Sequence, residues 1–394
     1  MSKNIESLDN KGRIAIVSVG YNRLKSQKRL LESLVKADYS KFSSVPLVIS
    51  IDCSGDTVLY DYVNSFDWPY GDKYVIIREK RMGLKEHIFA CGNLTKYFKG
   101  IILLEDDIYV SRDFYNYTVQ AVDAYDNEPR IASISLYNEE MNGFCWLPFE
   151  RLQNNADVYA VRAVFSWGEC WTERMWSEFR AWNENTKIDW DSVDMPPQIK
   201  TWTKAWSKFF HAYMAINDLY SIVPYVSLTT NFSDAGEHGG NNNTIVQTNL
   251  QYGNKNYRMN PFSELVKYDA FSNNLAICEH IEMSEKELLL DMYGIRQNDK
   301  NRRYWLTTRK LPYKVIKSYG LYLRPQELNI LEDIKGQDIF LYDTTIGDKK
   351  PYGGGRGKQL LYYLHGFSYK LLPLACWAQF KVLVNKAWDR YVRR

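Results

Sequence analysis

Residues 101–110 read Ile101-Ile102-Leu103-Leu104-Glu105-Asp106-Asp107-Ile108-Tyr109-Val110, and the fold turns on how this stretch is understood. Four apolar residues in a row fit a strand buried on both faces. The strand stops at three consecutive carboxylates, after which the chain is apolar again. Acids at the edge of a buried sheet are costly unless a cation or hydrogen-bond donors lie nearby. A run of acids is more often a solvated turn, but the apolar residues on both sides of this one set the two readings level.

Outward from this stretch, the first 140 residues alternate strand and helix signals. Residues 14–19 (IAIVSV) form an apolar, β-branched run that reads as a buried strand. Ser26 is placed to cap a helix with Leu30, Leu31 and Leu34 on one face. Residues 45–51 are a second apolar run ending in Asp52, and residues 74–77 are a third. A helix is predicted over 85–98, and 101–104 is the fourth strand. Ser111 is placed to cap a helix carrying Phe114, Val119, Val122 and Tyr125, and a fifth strand covers 131–136. Helices alternating with wholly apolar strands predict an α/β fold, with a mostly parallel central sheet flanked by helices. Open sheets of this kind bind ligands at the carboxyl ends of their strands. Asp52 and the triplet Glu105, Asp106 and Asp107 all fall at such ends, which is the strongest functional signal in the residues themselves.

Downstream the pattern is less regular. Residues 141–230 are rich in tryptophan, including Trp167, Trp171, Trp176, Trp202 and Trp206. The chain holds 12 Trp and 30 Tyr, which suits either aromatic packing or a cleft whose rings stack on sugar C–H faces. Residues 234–244 (DAGEHGGNNNT) read as a polar loop that can act as a lid. After about residue 260 the periodicity weakens, and 348–358 (DKKPYGGGRGK) reads as a linker that lacks the phosphate-loop pattern. The expected organisation is a first domain over 1–245, divided at about residue 140. A carboxyl-terminal, partly helical extension follows over 246–394.

Composition excludes several classes. A formal charge of +3 on 394 residues gives no global nucleic-acid signal. The six cysteines form no C-x-x-C pair, so zinc-knuckle, redox and disulfide-framework readings fall away. The opening MSKNIESLDNKGR has no apolar core, and no apolar run reaches the roughly 18–20 residues that span a bilayer. A cytoplasmic location is therefore expected. The acids suit a hard divalent cation, Mn²⁺ or Mg²⁺, which takes oxygen ligands and shares them with substrate phosphates. Such an ion neutralises charge on a departing nucleoside diphosphate.

Several stretches resemble one family. GYNR at 20–23, after an apolar strand and before a Leu-rich helix, is similar to the opening of nucleotide-sugar glycosyltransferases of the GT-A (Rossmann-like) fold. SID at 50–52 resembles their strand-end aspartate. LLEDDIYVSRDFY at 103–115 resembles the E-D-D-x₅-D-F segment of N-acetylglucosaminyltransferase I (family 13) and its bacterial relatives. FSWGECWTERMW at 165–176 resembles the W-G-x-x-W element of bacterial family 2 enzymes, and 222–238 resembles their closing strand and loop. The resemblance covers about residues 12–245, and it implies that 1–245 is a catalytic domain with a nucleotide-binding half at about 12–140 and an acceptor half at about 141–245. It implies that Asp107 is the metal ligand, that Glu105 and Asp106 orient ribose and donor sugar, and that Asp52 contacts base or ribose. It places Asn22 and Arg23 near the nucleotide and Lys85 or His87 near the diphosphate; His238 lies in the loop, where it can touch phosphate or metal.

The resemblance breaks at the catalytic base. Inverting members carry an aspartate in a W-x-x-W-like element, whereas this chain has Trp202-Thr203-Lys204-Ala205-Trp206 without a carboxylate. Nearby candidates are Glu173, Asp189, Asp191 and Asp194, with Glu173 preferred, since a base must reach the acceptor hydroxyl. The expected activity is inverting transfer from a nucleotide sugar, UDP-linked, to a glycan or lipid-linked acceptor in surface-polysaccharide or glycoconjugate assembly. Two alternatives stand beside it: a nucleotidyltransferase, against which GYNR lacks phosphate-loop glycines, and a non-catalytic glycan-binding scaffold, which the missing base favours. Finally, 366–394 carries six cations against Asp389, with Trp377, Phe380, Val384, Trp388 and Tyr391 on one helical face. Such a helix can lie peripherally on an anionic membrane or pack on the protein.

Overall fold

The computed structural model describes residues 10–234 and 246–392. The amino-terminal part runs β1 (Asn10–Gly20), α1 (Leu24–Val35), β2 (Leu47–Ile51), α2 (Thr57–Ser65), β3 (Lys73–Ile77) and α3 (Leu84–Gly92). It continues with β4 (Phe98–Glu105), β5 (Ile108–Val110), α4 (Phe114–Tyr125) and β6 (Ile131–Ser135). The expected strands all form, and Leu47–Ile51 and Ile131–Ser135 are buried throughout, as strands covered on both faces must be.

Three details differ from the sequence reading. The helix expected over 85–98 ends at Gly92 and tightens into a 3₁₀ turn, Asn93–Tyr97, before β4 begins. Gly92 is needed there because a β-carbon would collide with the Trp176 indole. Ser26 lies inside α1 rather than at its start, and its hydroxyl donates to Asp234 instead. Ser111 precedes the Asp113 that begins α4, and its oxygen accepts the Asp113 N–H at 3.2 Å.

The second part contains the short hairpin β7 (Met141–Asn142) and β8 (Leu147–Pro148), then β9 (Val158–Val161), β10 (Glu169–Thr172) and α5 (Glu173–Asn185). After α6 (Pro197–Lys200) and α7 (Trp206–Ile216) come β11 (Tyr220–Pro224), β12 (Thr229–Asn231) and β13 (Lys267–Tyr268). The nine-stranded sheet has the order β13-β9-β11-β6-β10-β4-β1-β2-β3. It is parallel across β4-β1-β2-β3 and at β6-β11 and β9-β13, and antiparallel at both neighbours of β10 and at β9-β11. The α/β, mostly parallel architecture expected from the sequence is present.

Tryptophan serves packing here. Trp171, Trp176 and Trp206 are fully buried, with Trp171 and Trp206 edge to face at 5.3 Å, and they seat α5 and α7 on the sheet. Each such pair adds about 0.5–1.5 kcal/mol beyond area burial.

The carboxyl-terminal part is partly helical and also holds a second sheet. After α8 (Ala276–His280) come β14 (Leu288–Asp291), β15 (Tyr304–Thr307), β16 (Tyr313–Tyr319), α9 (Leu328–Leu331) and β17 (Ile339–Gly347). These strands form a second sheet in the order β14-β15-β17-β16, and α10 (Arg356–Tyr363) and α11 (Leu372–Val392) follow it. Leu288, Leu290, Leu306 and Leu341 share one core with Tyr159, Val161 and Val223 of the large sheet. Residues 255–268 also pack on the first body: Tyr257 donates to Asp113 at 2.7 Å, and Tyr125 donates to the Asn260 carbonyl at 2.6 Å. Residues on the two sides of the expected boundary at 245 are therefore in contact.

The inserted strand β10 carries a buried acid. Glu169 lies between Leu103 and Ser135, 1% exposed, accepting the Phe165 N–H at 2.9 Å while its Oε2 makes no hydrogen bond. Burial pushes this carboxyl up to about 8, against the opposing pull of the Phe165 N–H and the Ser133 and Ser135 hydroxyls. The folded chain thus holds Glu169 protonated at neutral pH, while the unfolded chain ionises it above about 4.5. Its contribution to stability is full below that lower value and is lost as pH rises toward the upper one, at about 1.4 kcal/mol per unit. Glu169→Gln should match the parent chain near pH 5 and exceed it by about 3–4 kcal/mol near pH 8 in urea unfolding. Parallel pH profiles for the two chains would show that Glu169 is not a buried neutral acid.

Candidate functional site

Register builds the site. Gly20 pairs with Ile51 across β1 and β2, and Val19 pairs with Glu105 across β1 and β4. The carboxyl ends of three parallel strands therefore stand level, and the Asp52 N–H donates to the Gly20 carbonyl at 2.9 Å. A cavity of about 180 Å³ opens at this edge. Its walls include Tyr21, Asn22, Arg23, Asp52, Arg81, Gly83, His87, the acids Glu105, Asp106 and Asp107, and Asp234. Of the residues singled out by sequence, Asn22, Arg23, Asp52, His87, Glu105, Asp106 and Asp107 are brought together here.

The acids are organised around one guanidinium. Arg23 Nε donates to Asp106 Oδ2 at 3.1 Å and its second nitrogen pairs with Asp106 Oδ1, giving a fork-to-fork contact. The same side chain donates to Asp107 Oδ2 at 3.3 Å and to the Asp234 carbonyl at 3.2 Å. The other Asp107 oxygen accepts from Asn231 at 3.1 Å. Strand β12 brings Asn231 there by pairing antiparallel with β5. Asp234 is itself held by Arg29 and by Ser26, whose hydroxyl donates at 2.6 Å.

One cation does not neutralise three acids, of which Asp106 is buried and Glu105 and Asp107 are partly buried. Burial, then Asp107 and Asp106, push Glu105 up to about 8, with Arg23 and a Trp206 hydrogen bond opposing. Burial pushes Asp106 up to about 6 despite Arg23, and raises Asp107 in the same way. Burial disfavours the charge of Arg23, but Asp106 and Asp107 outweigh this and raise its pKa. The cleft is thus a desolvated, acid-rich site that gains from added positive charge.

Asp52 has a role the sequence did not show. Its Oδ1 accepts N–H groups from Cys53 and Met82, and its Oδ2 accepts that of Gly83, each at 2.9 Å. The carboxylate therefore clamps the loop at 81–83 to the end of β2, where Gly83 has a φ of 78° that favours glycine. His87 is buried beside it, 2.8 Å from the Ser50 hydroxyl. Burial and Arg78 depress its pKa to about 4, against Asp52, so it is neutral at physiological pH. A neutral His87 offers a diphosphate no charge.

Other expectations meet the structure less well. Lys85 faces an adjoining cavity with Thr203 and Lys204 and pairs with Glu86 at 3.0 Å, outside the acid-lined cleft. Glu173 is carried to the opposite edge of the sheet, because β10 runs antiparallel to β4 and pairs Thr172 with Gly100. There it meets Lys11 at 2.6 Å, half exposed, roughly 15–20 Å along the strands from Glu105 at ~3.3 Å per residue. Asp191 is exposed on the loop before α6, where its N–H donates to Asp189 Oδ1. Asp194 is taken by Arg296 and Arg302. None of these four carboxylates lines the cleft. His238 lies outside the described residues. Arg81, Gly83 and Asp234 line the cleft without having been singled out; only the Asp52 clamp and the Arg29 and Ser26 contacts reveal them.

No protein-family profile matches the chain, and no curated protein does. Solved structures resemble it in part. Staphylococcus aureus TarS residues 1–349 with UDP-GlcNAc matches at 14% identity and a TM-score of 0.36, covering 57% of this chain and 60% of that one. The mannosyltransferase PcManGT of Pyrobaculum calidifontis with GDP-Man and Mn²⁺ matches at 11% and 0.34, covering 56% and 58%. GalNAc-T7 with UDP, GalNAc and Mn²⁺ matches at 14% and 0.36, covering 55% and 43%. These neighbours are glycosyltransferases. The chain spans less than two thirds of each, and likeness of this size does not assign an activity.

The clamp can be tested directly. Asp52→Ala leaves the Met82 and Gly83 N–H groups without their acceptor and should cost about 2 kcal/mol in stability. Hydrogen exchange at Met82 and Gly83 should quicken in the variant. Unchanged exchange at both would show that the carboxylate does not hold the loop.

Proposed function

We propose that this chain is a glycosyltransferase that moves a sugar from a nucleoside-diphosphate sugar onto an acceptor. The observation that carries the reading is the level register of β1, β2 and β4, with Asp52, Arg23 and the acids 105–107 around one cleft. Asp52, through the loop at 81–83, shapes the nucleoside side, and Asn22 and Arg23 face the nucleotide. Asp106 positions ribose or donor sugar. Glu105 stands beside it at the end of β4 and orients ribose or donor sugar with it.

A divalent cation fits the chemistry of these residues. Among the described residues no group of three or more His, Cys, Asp or Glu side chains would hold a metal alone. A hard ion such as Mn²⁺ or Mg²⁺ takes one or two carboxylates and completes its shell from phosphate and water. Asp107, with Asp106 beside it, would hold the ion, and burial, which raises the pKa of both acids, favours a positive charge beside them. When bound, the ion supplies charge neutralisation at the leaving diphosphate. Arg23 pairs with the same two carboxylates and so limits their mutual repulsion.

The reading extends to a UDP-linked donor, a glycan or lipid-linked acceptor, and inverting transfer in surface-polysaccharide assembly at the inner face of a membrane, as the sequence resemblance implies. A second reading, a nucleotide- or glycan-binding protein without transfer, is favoured by one observation: Glu173, Asp189, Asp191 and Asp194 all lie away from the cleft.

Calorimetry separates these readings. UDP should bind at least about tenfold more tightly with Mn²⁺ than with chelator, about 1.4 kcal/mol. Asp107→Ala should remove that difference. Metal-independent UDP affinity in the parent chain, or an intact Mn²⁺ effect in Asp107→Ala, would refute the metal assignment. Tight binding without turnover of any nucleotide sugar would leave the non-catalytic reading in place.

A further inference from the structure

The carboxyl-terminal helix α11 lays its apolar side chains open to solvent. Leu374, Trp377, Phe380, Leu383 and Trp388 are 54–66% exposed. Among the described side chains from Leu371 onward, all but Ala375 are exposed. Trp377, Phe380, Val384 and Trp388 fall within an arc of about 80° at 100° per residue. An ordinary surface helix turns such a stripe into the core. Contiguous exposed apolar surface of this extent marks an interaction site.

Charge identifies what covers the stripe. Residues 366–394 carry Lys370, Lys381, Lys386, Arg390, Arg393 and Arg394 against Asp389. The tail is therefore at +5, and with the whole chain at +3 the remainder stands at −2. Positive charge concentrated on an apolar, tryptophan-bearing helix matches the interface of an anionic bilayer, where indoles sit at headgroup level and cations meet lipid phosphates. Among the described residues no helix is long and apolar enough to cross a membrane, so the matching arrangement is a helix lying in the surface plane.

We infer that residues 366–394 dock this protein on an anionic lipid surface, with Trp377, Phe380 and Trp388 of α11 facing the acyl chains. Docking rests on the exposure and charge of the tail rather than on the donor chemistry. Where the proposed transfer holds, it brings the cleft to lipid-linked acceptors.

Flotation of the full chain with phosphatidylcholine vesicles, with and without phosphatidylglycerol, tests this. The chain should float with the anionic vesicles alone, and less so as salt rises. Each cation is worth about fivefold in partition near an anionic surface, so Lys370→Gln with Lys381→Gln should lower it roughly 25-fold. Trp377→Ala with Phe380→Ala should lower it at least about tenfold. UDP affinity, measured on the same samples, should not change in either variant. Failure of the full chain to float with anionic vesicles at low salt would overturn the assignment, as would equal flotation with neutral ones. An oligomer that Trp377→Ala with Phe380→Ala dissolves would assign the stripe to a second copy of the chain instead. Absent UDP binding with intact flotation would refute the transferase reading and leave docking standing.

Discussion

The contact between Arg23 and the carboxylates of Asp106 and Asp107 is the constraint on which the rest of this edge depends. Three consecutive acids at the end of a buried strand repel each other in a medium that screens them poorly. One guanidinium from the turn between β1 and α1 meets two of them, and Asn231 from β12 meets Asp107 from the other side. Removing one partner of such a buried set typically costs about 3–5 kcal/mol, because the remaining charge is left unpaired. The arrangement ties the first strand, the fourth strand and the chain at 231–234 into one wall. Burial, ahead of the neighbouring acids, still raises Glu105 and Asp106 above the usual carboxylate range despite Arg23.

Much of this was legible in the sequence because it follows from local pattern. Apolar β-branched runs gave the strands, and the acids that end them fell at one edge because parallel strands share a polarity. Asp52 and the triplet came together for that reason alone. Glu173 shows where local pattern stops. The stretch 165–176 reads as strand then helix, and it is one, but nothing local reveals that β10 inserts antiparallel between β6 and β4. That reversal sends Glu173 to the far edge. Lys85 is closer: as the second residue of α3 it lines the neighbouring cavity, while Gly83 and Arg81 before it line the cleft.

The carboxyl-terminal sheet was illegible for a different reason. β16 has only one fully buried residue, Tyr319, and its charged residues alternate with aromatic and aliphatic ones without a clean period. Its stability comes from a core shared with β9 and β11, which no window along the sequence contains. Asp234 escaped notice similarly, since its partners Arg29 and Ser26 lie some 200 residues earlier.

The account stands or falls on whether a nucleoside diphosphate occupies the cleft at the ends of β1, β2 and β4. Hydrogen–deuterium exchange of the full chain, with and without UDP and Mn²⁺, reads this segment by segment. Slowed exchange at 20–23, 81–84 and 105–107, with none at 173–191, is the pattern the geometry requires. Protection confined to other segments, or none at saturating UDP, would contradict it.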